Sequence, residues 1–203
     1  SGARFSMPGM MDTILNLGIN DSVVDGLALQ MNDPRPAFDA YRRFIQIFGN
    51  VAMAIPSSVF EDILQDYKLR AGVKLDHELS VEYLCDMVGD FKKAIVERVQ
   101  REIPTDPWDQ LKQAVLAVFE SWNNPRAMEY RNYRGISHDL GTAVNIMAMV
   151  FGNTGEDSGT GVLFTRNPST GEKEIYGEYL ANAQGEDVVA GVRTPQHVSE
   201  MES

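Results

Sequence analysis

Glu178 and Glu186 stand eight residues apart in GEYLANAQGEDVVAGVRTP, residues 177–195, and are the chain's most suggestive pair of oxygen ligands. On one straight strand, at about 3.3 Å per residue, their carboxylates would lie roughly 26 Å apart, too far to act on one ligand. The stretch between them, Asn182-Ala183-Gln184-Gly185, is turn-forming. A reversal there would return both glutamates to the same end of adjacent strands, where they could share a cation or a metal carried by a polyphosphate. A hairpin with two solvated carboxylates fits the same spacing. Arg193, in GVRTP, could steady a phosphate or pair with Glu186.

The other stretch that could face a phosphate is the start of the chain, SGARFSMPGMMDTILNLGIN, with Gly2, Gly9 and Gly18. It is no Walker A loop, because no Gly-Lys-Ser/Thr follows. Ser6, Gly9, Asp12 and Thr13 nevertheless offer backbone N–H and hydroxyl donors. The plainer alternative is a loop pinned by its Met and Leu side chains. The densest basic cluster is RAMEYRNYR, residues 126–134, which reads either as a salt-bridged face or as a phosphate-side surface.

Composition excludes several classes. A formal charge of −11 over 203 residues argues against a nucleic-acid partner, since phosphate backbones demand clustered Lys and Arg. A local basic pocket with a divalent cation can still hold ATP in an acidic protein. The single cysteine, Cys85, rules out an intramolecular disulfide, and its place on the apolar stripe of VEYLCDMV predicts a buried thiol. No apolar run reaches the length of a membrane span and no signal-peptide pattern is present, so the expected compartment is the cytoplasm or an organelle interior. The chain begins at Ser1 without an initiator Met and reads as a piece of a larger protein.

Helices are expected first and strands later, an α+β order. Residues 1–20 form the glycine-rich segment, 21–103 a helical subdomain, and 104–203 a helix followed by a mainly antiparallel β part. Asp33-Pro34 marks a capped helix start, with Phe38, Tyr41, Phe44, Ile45 and Phe48 recurring at helical spacing. Ser58 and Glu61 suggest a capping box, and Gly72 a helix end. A third helix follows Ser80, and Asp106-Pro107 opens another that runs to Trp122. Four antiparallel strands are expected at 142–151, 159–165, 174–180 and 187–192.

Several long strings, SGARFSMPGMMDT, GTAVNIMAMVFGN, SGTGVLFTRNPSTGE and GEYLANAQGEDVVAGVRTPQ, resemble the pyruvate, phosphate dikinase family over the whole chain. The resemblance implies part of an ATP-grasp-like lobe pair. Phosphates would lie under the glycine loop, with Gly9, Met10 and Thr13 nearest. Adenine would rest on a linking strand through Ile146–Met149, with Met147 and Met149 as its contacts. Glu178 and Glu186 would act as catalytic and Mg²⁺-binding carboxylates, and Arg193 would approach phosphate. The family reaction passes a phosphoryl group from ATP to pyruvate through a histidine, with inorganic phosphate as second acceptor. His77, His138 and His197 match no carrier-histidine motif, and His138 reads as a loop or capping residue.

The resemblance further implies partners within a full-length, homodimeric parent: a phosphohistidine domain and a pyruvate-binding domain. It places a site lysine and an arginine before Ser1, and further acidic, Gln and Arg residues beyond Ser203. The chain alone is therefore expected to lack dikinase activity. Two other readings compete: a related dikinase such as phosphoenolpyruvate synthase, and a helical interaction module with no working nucleotide site.

Overall fold

The chain enters its first helix, α1 (Asp21–Met31), through Asn20, whose side chain accepts the amides of Ser22 and Val23 at 3.0 and 2.9 Å. In this computed structural model, residues 2–155, 157–189 and 193–201 are described. Asp33 then accepts the Arg35 amide at 2.9 Å and Pro34 opens α2 (Pro34–Val51), as the sequence predicts. The capping box at Ser58 and Glu61 does not form: α3 (Ser57–Ala71) starts two residues earlier than that cap would set, behind Pro56, with no side-chain cap. Gly72 closes α3 at φ 71°, the left-handed conformation that glycine adopts without a Cβ clash.

The next two helices, α4 (Val81–Val99) and α5 (Pro107–Glu120), start where predicted, and Asp106 caps α5 by accepting the Trp108 amide at 2.8 Å. A 3-10 turn at Ser121–Asn123 ends the α5 run, and α6 (Pro125–Arg134) follows at once. The basic cluster is therefore a helix of its own, with Pro125 at its first turn and Gly135 closing it.

The chain divides into two compact units, Ser1–Met147 and Ala148–Ser203. In the first, α2 packs against α1 and α4, and α3 against α4. Phe44, Phe48, Phe60 and Phe91 are fully buried there, with Phe60 and Phe91 edge to face at 5.1 Å. A buried charge network fastens the loop before α4. Asp39 holds Arg42 at 2.8 Å and Arg43 at 3.1 Å, while Arg42 reaches Asp76 at 2.9 Å and Lys68 reaches it at 2.5 Å. Arg35 adds hydrogen bonds to the carbonyls of Leu79 and Asp76, both 2.9 Å. Cys85 is exposed, not buried. On α4 the inward stripe is Leu84, Met87, Val88, Phe91 and Ile95, and Cys85 falls beside it.

The second unit holds β1 (Gly159–Phe164), β2 (Tyr176–Ala181), α7 (Gly185–Val189) and β3 (Gln196–His197). The strands form one antiparallel sheet in the order β1-β2-β3, with Glu178 opposite Val162 on one side and His197 on the other. The α+β class and the antiparallel sheet stand, with three strands and not four among the described residues. Two expected strands fail. Residues 142–151 carry β-branched and apolar side chains but pair with no strand among the described residues; a strand exists only where a neighbour accepts its hydrogen bonds. The segment 187–192 begins inside α7, and 190–192 lie outside the described residues.

A close approach organises the second unit. A Cβ on Gly152 would lie 2.5 Å from the carbonyl oxygens of both Ala183 and Gly159. The Ala183 amide bonds the Gly152 carbonyl at 2.8 Å and the Asn182 amide bonds that of Ser158 at 2.8 Å. Gly152 and Ser158 are thereby tied to the bend that follows β2.

Candidate functional site

The glycine-rich start of the chain is held against the rest of its unit by polar fasteners. Asp12 is their centre: its amide donates to Ser121 Oγ at 3.1 Å, and its carboxylate accepts from Asn124 Nδ2 at 2.8 Å and from the Arg126 guanidinium. Arg126 Nε also donates to the Met10 carbonyl at 3.1 Å. Below them Met7, Met11, Trp122 and Ala127 form a small apolar cluster, with Met10 packed at its edge. The Asp12 amide is thus already committed and is no phosphate donor, which corrects that expectation. Gly9 (φ 71°) and Thr13 remain on the exposed side of the loop. The plain reading of this segment, a loop pinned by its methionines, describes its inward side, while Gly9 and Thr13 face outward.

The same loop meets the segment expected to carry adenine contacts. Gly2 donates its amide to the Ala143 carbonyl at 2.5 Å, and a Cβ on Gly2 would lie 3.2 Å from that of Ala143. Met147, four residues on, is 82% exposed, so it lies open to solvent and not in a buried strand. In the second unit, Met149 is 40% exposed.

Of the acidic pair, Glu178 is exposed at the middle of β2, and Glu186 is half-buried in the first turn of α7. The hairpin with both glutamates on adjacent strands is not formed. The chain bends at Asn182, whose φ is 46°, and Ala183 and Gln184 are buried before the helix starts. Asp187 accepts the Gln184 amide at 2.9 Å, half of a capping box. That small acid–amide cap turns 185–189 into a helix where a strand was expected. Arg193 donates to the carbonyls of Ala181 and Asn182 at 3.3 and 3.1 Å, so it braces the bend.

Among the described residues no group of three or more His, Cys, Asp or Glu side chains could hold a metal ion. A pair of carboxylates fits Mg²⁺ only as a minor part of its oxygen shell, the remainder coming from water or phosphate. His138 opens a 3-10 turn, accepting Arg131 Nε on Nδ1 at 2.9 Å, with Nε2 2.9 Å from Asn132 Oδ1. That fits the loop role expected of it.

Sequence reasoning did not find the clamp of Ser121, Asn124 and Arg126 on Asp12, nor the Gly2–Ala143 bond. Both join positions more than a hundred residues apart, and no local spacing reports such pairs. The Asn124-Pro125 break was the one visible sign that something other than helix was needed there.

The elements define a class: an α+β chain in which a helical unit precedes a small antiparallel sheet, with candidate ligand-facing groups on loops and strand faces. The family model described as pyruvate phosphate dikinase, AMP/ATP-binding domain, matches residues 2–202, and the chain belongs to that ATP-grasp-like family. The chain is similar to the pyruvate, phosphate dikinase of Clostridium symbiosum, 58% identical over the whole chain and 23% of that protein. It is likewise 58% identical to the chloroplastic pyruvate, phosphate dikinase of Flaveria pringlei over the whole chain and 21% of that protein. With the Rhizobium meliloti (strain 1021) enzyme it shares 57% identity over 98% of the chain and 22% of the relative. The chain therefore spans about a fifth of the length of these relatives. No helix among the described residues is long and apolar enough to cross a membrane.

Proposed function

We propose that this chain is part of the ATP-binding portion of a pyruvate, phosphate dikinase, an enzyme that converts ATP, phosphate and pyruvate to AMP, pyrophosphate and phosphoenolpyruvate through a phosphohistidine. The observation that carries this is the family match over residues 2–202, at 57–58% identity to dikinases. Gly9, Met10 and Thr13 serve the phosphates, Met147 and Met149 the adenine, and Arg193 the region next to the phosphates. Exposure of Gly9, Thr13 and Met147 supports this assignment, because a ligand can reach them.

Glu178 and Glu186 hold Mg²⁺ together with the nucleotide. When bound, the ion neutralises charge on the phosphates; the chain's own carboxylates orient it. Two carboxylates bind magnesium weakly until phosphate oxygens complete its shell, so the ion and ATP bind as one. The phosphohistidine-bearing and pyruvate-binding domains are partners within a homodimeric parent. The compartment is cytoplasmic, or an organelle interior. The division at 20 and 103 into glycine loop, helical subdomain and helix-plus-sheet part belongs to the same proposal. The chain alone does not catalyse the reaction.

Calorimetric titration with ATP, with and without Mg²⁺, tests this on the chain and on its Glu178→Gln, Glu186→Gln double variant. The expected result is Mg²⁺-dependent saturation that the double change weakens at least tenfold. Equal ATP binding by both forms would remove the glutamates from the site.

A further inference from the structure

We propose that the helical unit contains a binding site for a small aromatic amine, between α1, α2, α4 and the 103–105 connection. It is independent of the nucleotide reading, since none of its residues is assigned there. A cavity of about 500 Å³ opens at this place. That volume is in the range of pockets that enclose small organic ligands. Its accessible wall is mostly carbon, from Val96 on α4 and from Ile103 and Pro104 in the connection, laid over the fully buried Phe44, Ile45 and Ile95.

The polar groups in the wall make no demand on the body of a ligand. Gln110 is 1% exposed and its amide is fully engaged. Its Oε1 accepts from the Gly18 amide at 2.9 Å, and its Nε2 donates to the carbonyls of Pro104 at 2.8 Å and Ile19 at 3.3 Å. With Gln110 satisfied, the carbon surface beside it selects an apolar ring over a polar one.

The rim selects the sign of the charge. Lys92 is held by Asp21 at 2.5 Å and lies over the Tyr41 ring at 5.0 Å, while the Tyr41 hydroxyl donates to Asp21 at 3.0 Å. Lys93 is held by Asp90 at 3.0 Å. Both ammonium groups near the mouth are thus already paired. Glu97 and Glu102 also line the mouth, and neither makes an ion pair among the described residues. Three carboxylates, Asp21, Glu97 and Glu102, face two committed lysines. An anion would have to break an existing pair, whereas a cation finds Glu102 waiting. A flat ring with a short ammonium arm satisfies both wall and rim.

The test uses three indoles of one shape and different charge: tryptamine, 3-ethylindole and indole-3-propionate. Each is titrated into the 203-residue chain without ATP, followed by two-dimensional amide NMR. Tryptamine is expected to shift the amides of Ile95, Val96 and Ile103 saturably. It should bind about two- to fivefold more tightly than 3-ethylindole, the size of one exposed charge contact, with indole-3-propionate weakest. The Glu97→Gln, Glu102→Gln double variant should bring tryptamine down to the level of 3-ethylindole. Val96→Trp, or Thr105→Trp from the opposite wall should the first not fold, should fill the cavity and remove all saturable shifts. No saturation up to roughly 10 mM, a range that still detects millimolar affinity, would overturn the site. Equal or tighter binding of the propionate would overturn its assignment to a cation, and binding that survives the filled cavity would overturn its location. Because nucleotide is absent, failure here leaves the ATP titration untouched.

Discussion

Arg131 lies with its guanidinium carbon 3.9 Å above the Trp122 ring and also donates through Nη1 to the Trp122 carbonyl at 2.5 Å. It is fully buried, with Nε bonded to His138 and Nη2 without a partner. One arginine therefore joins α6, the turn after α5 and the turn at His138–Leu140. Lysine has neither the planar face nor the fork to do this.

Arg131→Ala is expected to cost about 3 kcal/mol, the range for emptying a buried, stacked and hydrogen-bonded cation site. Arg131→Lys should cost nearly as much. Urea unfolding measures both, and a loss below about 1 kcal/mol for the lysine variant would show that charge alone suffices.

Asp39 is 4% exposed among arginines. Burial alone would raise its carboxyl, but Arg42, Arg43 and Arg35 outweigh that and hold it below the ordinary value; Asp76 is depressed likewise by Arg42 and Lys68 against its own burial. Their unfolded values lie near 3.9, so the stabilisation is complete above about pH 4 and is lost as pH falls through the lower folded values. Melting temperature should drop steeply below about pH 4. Asp39→Asn should cost about 3–5 kcal/mol at neutral pH and flatten that acid limb. An unchanged limb in the variant would count against Asp39 as its source.

The Asp12 clamp and Thr13 separate structure from binding. Asp12→Ala should cost about 1–2 kcal/mol and expose residues 2–13 to limited proteolysis, as the Asn124 and Arg126 donors lose their acceptor. Thr13→Ala, at an exposed position, should stay within about 0.5 kcal/mol in stability while weakening ATP binding. If Asp12→Ala left proteolysis unchanged, the loop would be held by its methionines alone.

Gly152→Ala forces a methyl group to within 2.5 Å of two carbonyl oxygens, both backbone, so the 152–158 turn must move. A loss of about 2–3 kcal/mol is expected in the second unit, read as faster hydrogen exchange at the paired amides of β1 and β2. Wild-type exchange in the variant would mean that the turn yields without cost.

Helix starts were legible because they are local. Asp33-Pro34 and Asp106-Pro107 carry cap and first-turn geometry within three residues, and both caps form. The apolar stripe after Asp33 likewise pointed correctly to Phe44, Ile45 and Phe48. Cys85 went astray because one position of rotation moves a residue from stripe to flank on a helix. The 142–151 segment went astray because its residues favour a strand, while strand pairing needs a partner that propensity does not supply.

By itself the sequence determined the α+β order, the starts of α2, α4 and α5 and, through its long matching strings, the family. The tertiary structure decided what the candidate groups are free to do. It committed the Asp12 amide to Ser121 and Nη1 of Arg193 to the bend after β2, and it moved Glu186 from a strand to a helix turn. It also paired both lysines at the cavity mouth and left Glu102 open there. The physical reason is range: caps and periodicity act over a few residues, whereas the use of each donor and acceptor is settled by partners far along the chain.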